Sequence, residues 1–261
     1  MGAACSVDEL LESAVLLARR GGEELARRWG SPRQVEFKGE IDLVTDADRA
    51  SEAAILALLR GRHPDHEIVA EESARSTTGS AYRWYVDPLD GTTNYAHGVP
   101  HFCVSVGVSD EGGLAAGAIF QPLTGDLYQV ARGRGAFRGA ARLAVSTRAP
   151  LSQALVATGF PYDVWHRPDR PLTLFSRMLV RARGIRRFGV AALDLAYVAE
   201  GRFDGYLELG LRPWDVAAGT LLVQEAGGVV TDLSGGPARL DGGEIVAGNP
   251  VVHAELLALS R

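Results

Sequence analysis

From residue 7 onward, apolar side chains recur at helical spacing. Val7, Leu10, Leu11, Ala14, Leu17, Ala18, Leu25 and Trp29 follow the 3.6-residue period of an amphipathic helix. Ser6 and Glu9 stand ahead of this run as a capping-box pair. A second helix is predicted from Thr45, with Asp48 three residues on and Ala54, Ile55, Leu58 and Leu59 along one side. Glu67-Ile68-Val69-Ala70 and Trp84-Tyr85-Val86 read as short strands that run into acidic residues. Beyond them the period changes to two. Phe102, Val104, Val106 and Val108 alternate with small or polar residues, as in a strand with two different faces. Asp110-Glu111-Gly112-Gly113 is a turn signal, residues 114–120 form the returning strand, and a second turn leads into a strand over 127–131. This is the pattern of an antiparallel meander.

The second half changes rhythm. A strand at Leu155-Val156-Ala157-Thr158 precedes a helix carrying Leu172, Phe175, Met178, Leu179 and Ala182. Strands and helices then alternate over 185–188, 191–199, 203–209 and 213–226, where Gly227-Gly228 stops the last helix. Strands at 229–232 and 245–247 and a helix over 251–259 close the chain. A meander followed by alternation predicts an α/β (α+β) fold, a layered α-β-α-β sandwich with an antiparallel-rich amino-terminal sheet and a second, mixed sheet. We expect one domain over 1–261, with 1–150 and 151–261 as candidate subdomains.

Composition narrows the functional classes. The 261 residues are 46% apolar and 23% charged, with a formal net charge of −5. An acidic chain lacks the basic surface of a general nucleic-acid binder, but a divalent metal in an acidic pocket can still attract an anionic substrate. Cys5 and Cys103 form no CxxC pair, which leaves no disulfide framework or zinc knuckle. No run approaches a membrane span and the first residues carry no basic leader, so a soluble cytoplasmic protein is expected. The six histidines, among them His97 and His101 beside the motif below, lack metal-ligand spacing and read as structural or exposed.

The chemistry concentrates in Asp87-Pro88-Leu89-Asp90-Gly91-Thr92-Thr93-Asn94. An apolar strand ends at Asp87, and Pro88 bars regular pairing. Gly91 permits a sharp bend, and Thr92 or Thr93 can cap a short helix. Two carboxylates and the Leu89 carbonyl on one turn make an oxygen-only ligand set for a hard cation such as Mg²⁺. A helix start beside it offers N–H groups to a phosphate. Glu71 and Glu72 are adjacent carboxylates, costly without a cation, although Glu72 also suits a solvated loop. Asp48 sits at the third position of a helix cap, and local sequence alone favours capping for it over a site role. Asp215, after Pro213-Trp214, is equally an acid in a first helical turn.

The ordered segments Ile41-Asp42-Leu43-Val44-Thr45-Asp46-Ala47-Asp48, Glu71-Glu72-Ser73, Asp87-Pro88-Leu89-Asp90-Gly91-Thr92-Thr93-Asn94-Tyr95 and Trp214-Asp215-Val216-Ala217-Ala218-Gly219 resemble the signature motifs of the inositol monophosphatase family. The resemblance spans nearly the whole chain and implies the layered sandwich of the sugar-phosphatase type. It also implies a lithium-sensitive homodimer with two or three Mg²⁺ per active site, acting on a small-molecule phosphate ester. In that family pattern Glu71, Asp87 and the Leu89 carbonyl hold one metal, Asp87, Asp90 and Asp215 a second, and Glu71 touches a third. Asp48 and Thr92 take a proton from the attacking water. Gly91 and Thr92 bind phosphate through their N–H groups, and Glu208 with Gly189, Val190, Ala191 and Ala192 lines the substrate hydroxyls. Two positions depart from the pattern. Ala70 stands where the family usually has glycine, and Val190 where it often has a hydroxyl. The implied substrate is inositol 1-phosphate. The alternatives are histidinol phosphate, fructose 1,6-bisphosphate, NADP or phosphoadenosine phosphate, or a regulatory binding module without turnover.

Overall fold

Ser6 starts the first helix as its sequence predicts. The Glu9 N–H donates to the Ser6 hydroxyl at 3.2 Å and the Ser6 N–H donates to the Glu9 carboxylate at 2.7 Å. The computed structural model describes residues 5–31, 35–37, 39–40, 42–73 and 76–260; residues 1–4, Lys38 and Ile41 lie outside the described residues. Helix α1 (Val7–Arg28) buries Leu10, Ala14, Leu17, Ala18 and Leu25 completely. Strands β1 (Val35–Phe37) and β2 (Leu43–Thr45) form a small antiparallel pair. Helix α2 (Asp46–Arg62) follows, opened by the capping box of Thr45 and Asp48.

Both long helices cover one face of a seven-stranded sheet. Its strands, in spatial and chain order, are β3 (Glu67–Ala70), β4 (Arg83–Asp90), β5 (Cys103–Asp110), β6 (Gly113–Gln121), β7 (Asp126–Ala131), β8 (Gly135–Arg138) and β9 (Ala141–Arg142). Only the β3–β4 pair is parallel. The predicted meander is present, and β8 and β9 extend it with a hairpin too short to show in the hydrophobic pattern. Residues 103–108 are buried on both faces. Val104, Val106 and Val108 join the core beneath α1 and α2, while the smaller residues between them face the other way.

A short helix, α3 (Thr92–Ala96), connects β4 to β5; the carboxy-terminal half then supplies β10 (Leu155–Thr158), α4 (Asp169–Leu179), β11 (Gly184–Arg186), α5 (Ala191–Ala199), β12 (Gly205–Leu209), α6 (Pro213–Glu225), β13 (Val229–Thr231), β14 (Glu244–Gly248) and α7 (Pro250–Leu259). The second sheet has the order β11-β10-β12-β14-β13, parallel at β11–β10–β12 and antiparallel elsewhere. Helices α5 and α6 are sandwiched between the sheets in one continuous core. Helices α4 and α7 pack on the outer face in another. The expected α-β-α-β stack is thus completed by an outer helical layer. One local expectation fails. Helix α4 stops at Leu179, short of Ala182, and Leu172 and Leu179 are 50% and 57% exposed. Pro171, Leu174 and Met178, at i, i+3 and i+7, form the stripe that is buried instead.

Close approach of α6 to the first sheet positions the site. A Cβ on Gly107 of β5 would lie 2.8 Å from the Ala217 Cβ. Only glycine lets the first turns of α6, with Asp215, press this near to β4 and β5.

Candidate active site

Strand β4 brings the two aspartates of the central motif together by an irregularity. Its register with β5 runs through Asp87↔Ser105, breaks, and resumes at Asp90↔Cys103. Three steps on β4 thus match two on β5, the signature of a bulge. In a regular strand positions 87 and 90 point to opposite faces. The extra residue reverses the alternation, so both carboxylates turn to one side. Pro88, with no N–H, loses nothing by leaving the ladder, and its carbonyl accepts from the Ser51 hydroxyl at 2.8 Å. Gly91 then takes a left-handed φ of 98° at the start of α3. It fills the cap position itself. Thr92 and Thr93 make no side-chain cap there, contrary to the local sequence reading.

Four carboxylates converge. Asp87 and Asp90 are 2% and 9% exposed. Asp87 accepts from the Leu89 N–H at 3.0 Å, and Asp90 accepts from the Ala192 N–H at 2.7 Å. Among the described residues no arginine forms a salt bridge with either. Glu71 directly follows β3, its N–H donating to the Val86 carbonyl at 3.2 Å. Asp215 arrives from the first turn of α6, where it also accepts from the Arg212 N–H at 2.7 Å. Burial, then the charges of Glu71, Asp90 and Asp215, hold the Asp87 carboxyl well above the usual carboxylate range. Burial and the charge of Asp215 do the same for Asp90. Asp215 is pushed up to about 7, chiefly by burial, with Glu208 and Asp42 adding to the rise. Such a set repels itself until a cation enters, and every donor is a hard oxygen. These residues therefore fit divalent metal ions such as Mg²⁺. The Glu72 backbone N–H donates to the Glu52 carboxylate at 2.8 Å.

Asp48 serves as both cap and site residue. One carboxylate oxygen accepts from the Thr45 N–H at 2.8 Å and the Thr45 hydroxyl at 2.6 Å. The other lies 2.9 Å from the Thr92 hydroxyl, which also lies 3.0 Å from the Leu89 carbonyl. One hydroxyl proton cannot serve both acceptors. Donated to Asp48, it leaves the Leu89 carbonyl free and a Thr92 lone pair open to accept. The two motifs, 44 residues apart in sequence, meet here.

The predicted substrate segment flanks this centre. Val190 is fully buried, its methyl about where a Gly91 Cβ would need space, at 3.0 Å. Asn94 ties α3 to the segment by donating to the carbonyls of His101 and Phe188 at 2.8 and 2.9 Å. Glu208, pushed up to about 7 by burial, accepts from the Tyr206 hydroxyl at 2.5 Å. His97 is exposed, and His101 packs its ring on Phe188 and Tyr197.

Sequence reasoning missed two residues. Asp194, in the first turn of α5, is fully buried with neither carboxylate oxygen hydrogen-bonded. Burial and the charges of Glu208 and Asp90 raise its pKa. Tyr162, 59% exposed, stands in the loop after β10, and its phenol is made less acidic by partial desolvation and by the charges of Asp42, Glu71, Asp215 and Asp90. Neither has a local signal, since an acid in a first helical turn and an aromatic in a loop are both ordinary. Away from this centre, ligand atoms of Cys5, His63 and His66 gather within 4.8 Å of one another. The Trp84 indole N–H donates to His66 Nδ1 at 2.9 Å. That places the proton of neutral His66 on Nε2, so His66 acts as a donor there rather than a ligand.

Comparison with known proteins bears on the family and the fold. The model of the "Inositol monophosphatase family" matches residues 6–261. The chain is 42% identical to the Nus factor SuhB of Salmonella typhimurium, over 97% of this chain and 96% of that protein. It is 43% identical to an inositol-1-monophosphatase of Mesorhizobium japonicum, over 95% and 94%. The solved structure of an inositol monophosphatase from Anabaena superposes with a TM-score of 0.88 at 40% identity, covering 97% of this chain and 95% of that one. The extragenic suppressor protein suhB of Bartonella henselae gives 0.91 at 40%, covering 97% and 98%. With the motifs, the fold and the carboxylate centre in agreement, the chain belongs to the inositol monophosphatase family.

Proposed function

We propose that this chain is a Mg²⁺-dependent phosphatase that hydrolyses a small polyol phosphate, with inositol 1-phosphate as the favoured substrate. The observation that carries this reading is the convergence of Asp87, Asp90, Asp215 and Glu71 beside the Thr92–Asp48 hydrogen bond. Asp87, Asp90, Asp215, Glu71 and the Leu89 carbonyl would hold two or three Mg²⁺. When bound, the metal supplies Lewis-acid charge that offsets the phosphate and the leaving oxygen and makes water a better nucleophile. The chain's own groups do the rest. Thr92 Oγ1 accepts a proton from the attacking water as its own proton passes to Asp48 Oδ1. Thr45 holds the other Asp48 oxygen and keeps the acceptor aimed. The N–H groups of Gly91 and Thr92 orient the phosphate, and Glu208 accepts from substrate hydroxyls. Gly189, Val190 and Ala191 wall that pocket. The Val190 methyls offer no hydroxyl, so polyol contact there is through backbone.

The experiment is phosphate release with Mg²⁺, with and without chelator, across inositol 1-phosphate, histidinol phosphate, fructose 1,6-bisphosphate, NADP and phosphoadenosine phosphate. Chelator-sensitive release with preference for inositol 1-phosphate is expected. A different preference reassigns the substrate, and no release from any supports a regulatory binding module. The relatives named Nus factor SuhB favour that second reading. We expect a cytoplasmic homodimer. Leu172 and Leu179 on α4 and Val180 just past it, 50%, 57% and 80% exposed, offer an apolar surface for a second copy.

A further inference from the structure

Residues 170–193 contain six arginines and no Asp or Glu, in a chain of net charge −5. Two of these, Arg183 and Arg186, join Arg148 and Arg202 along an open groove of about 460 Å³ beside β11, the edge strand of the second sheet. The groove's one carboxylate is already engaged. Asp204, fully buried, accepts from the Arg148 Nε at 2.8 Å, the Ser146 hydroxyl at 2.5 Å and the Leu155 N–H at 2.7 Å. Arg148 is thereby fixed in place, and the Asp204 charge is matched. Arg202 pairs with Glu200 at 2.8 Å and lies over the Tyr197 ring. Arg183 and Arg186 form no salt bridge among the described residues; Arg186 donates only to the neighbouring Ile185 carbonyl, at 3.0 Å. Guanidinium groups do not shed their charge at any physiological pH. Two uncompensated ones on one wall therefore leave a positive groove on an otherwise acidic protein.

We propose that this groove is a second anion site, separate from the carboxylate centre, that binds a small phosphate-bearing dianion. Planar guanidinium forks match phosphate oxygens in pairs, and the volume suits a small molecule rather than a polymer. The site lies four residues ahead of Val190, on the strand that leads into the substrate segment.

The probe is inorganic phosphate, titrated calorimetrically into the Mg²⁺-loaded protein, its Arg183→Gln/Arg186→Gln variant and its Asp90→Asn variant. The wild type should take two equivalents. The arginine variant should lose one and keep its turnover within about twofold. Asp90→Asn should lose the other and keep the groove site. All four arginines are exposed, so the paired substitution should leave the Tm in place. The proposal fails if Asp90→Asn binds no phosphate at about 10 mM, tenfold above a millimolar Kd, or if the arginine variant's isotherm matches the wild type. Tight binding of a single-stranded RNA 12-mer that requires Arg183 and Arg186, with no saturable phosphate site, would also overturn it.

Discussion

Replacing Thr92 by alanine tests the proton path directly. The side chain is 7% exposed, and its hydroxyl lies 2.9 Å from Asp48 Oδ1 and 3.0 Å from the Leu89 carbonyl. The carboxylates around Asp87 do not bond to it, so metal affinity should change little. Loss of general-base assistance typically costs about 10²–10⁴ in rate, or about 2.7–5.4 kcal/mol of barrier. Asp48 keeps two donors from Thr45 after the change, so the structural cost should be one hydrogen bond to a charged carboxylate, about 1.5–3 kcal/mol. For a chain of this size that lowers Tm by about 3–12 °C. Steady-state kinetics of Thr92→Ala at saturating Mg²⁺ should show kcat reduced by two decades or more, with KM within about threefold. Thr92→Ser, which keeps the hydroxyl, should recover most of the rate. A kcat for Thr92→Ala near the wild-type value, in folded and metal-loaded protein, removes Thr92 from the mechanism.

Asp90→Asn should abolish turnover and, in metal-free protein, raise the Tm, because the amide keeps an acceptor for the Ala192 N–H while removing a charge that burial and Asp215 oppose; an unchanged metal-free Tm would contradict the repulsion argument. Lithium should inhibit by competing at the second metal position, and an insensitive enzyme would point to an altered Asp90–Asp215 pair. Gly159→Ala should raise KM while leaving the Mg²⁺ requirement unaltered, since its methyl would land on the Glu208 carboxylate; an unchanged KM would take Glu208 out of substrate contact. His66, held down at about 4 by burial and by His63, binds fewer protons folded than unfolded between pH 4 and 6.5. Stability from this group is therefore present above pH 6.5 and lost as the pH falls toward 4. Solvent screening at this half-buried ring limits the loss to about 1–2 kcal/mol. Protonation also costs the bond from Trp84, and Tm against pH for wild type and His66→Phe should converge in acid.

Much of the site was legible because its chemistry is compressed into short strings. The strand-turn run from Asp87 to Asn94 carries its own ligand atoms and its own bend at Gly91. The capping boxes at Ser6 and Thr45 appear as written, because a cap depends on residues three apart. Buried faces were harder. The apolar residues of α4 offered two stripes, and only packing against α7 and the second sheet chose Pro171, Leu174 and Met178 over Leu172 and Leu179.

By itself, the sequence determined the order of the longer elements, the meander, the later alternation and the residue types able to hold a hard cation. Local sequence favoured capping for Asp48 and left Asp215 between capping and chemistry. In the tertiary structure each spends one carboxylate oxygen at a helix start, while the second oxygen of Asp48 meets the Thr92 hydroxyl and Asp215 adds its charge to Asp87 and Asp90. Tertiary structure also decided that Asp87 and Asp90 share a face. That outcome rests on a register shift against β5, a relation between strands that strand β4 alone cannot encode. Asp194, Tyr162 and the arginine groove emerged only in three dimensions, where residues far apart in the chain share one electrostatic environment and local pattern carries no signal.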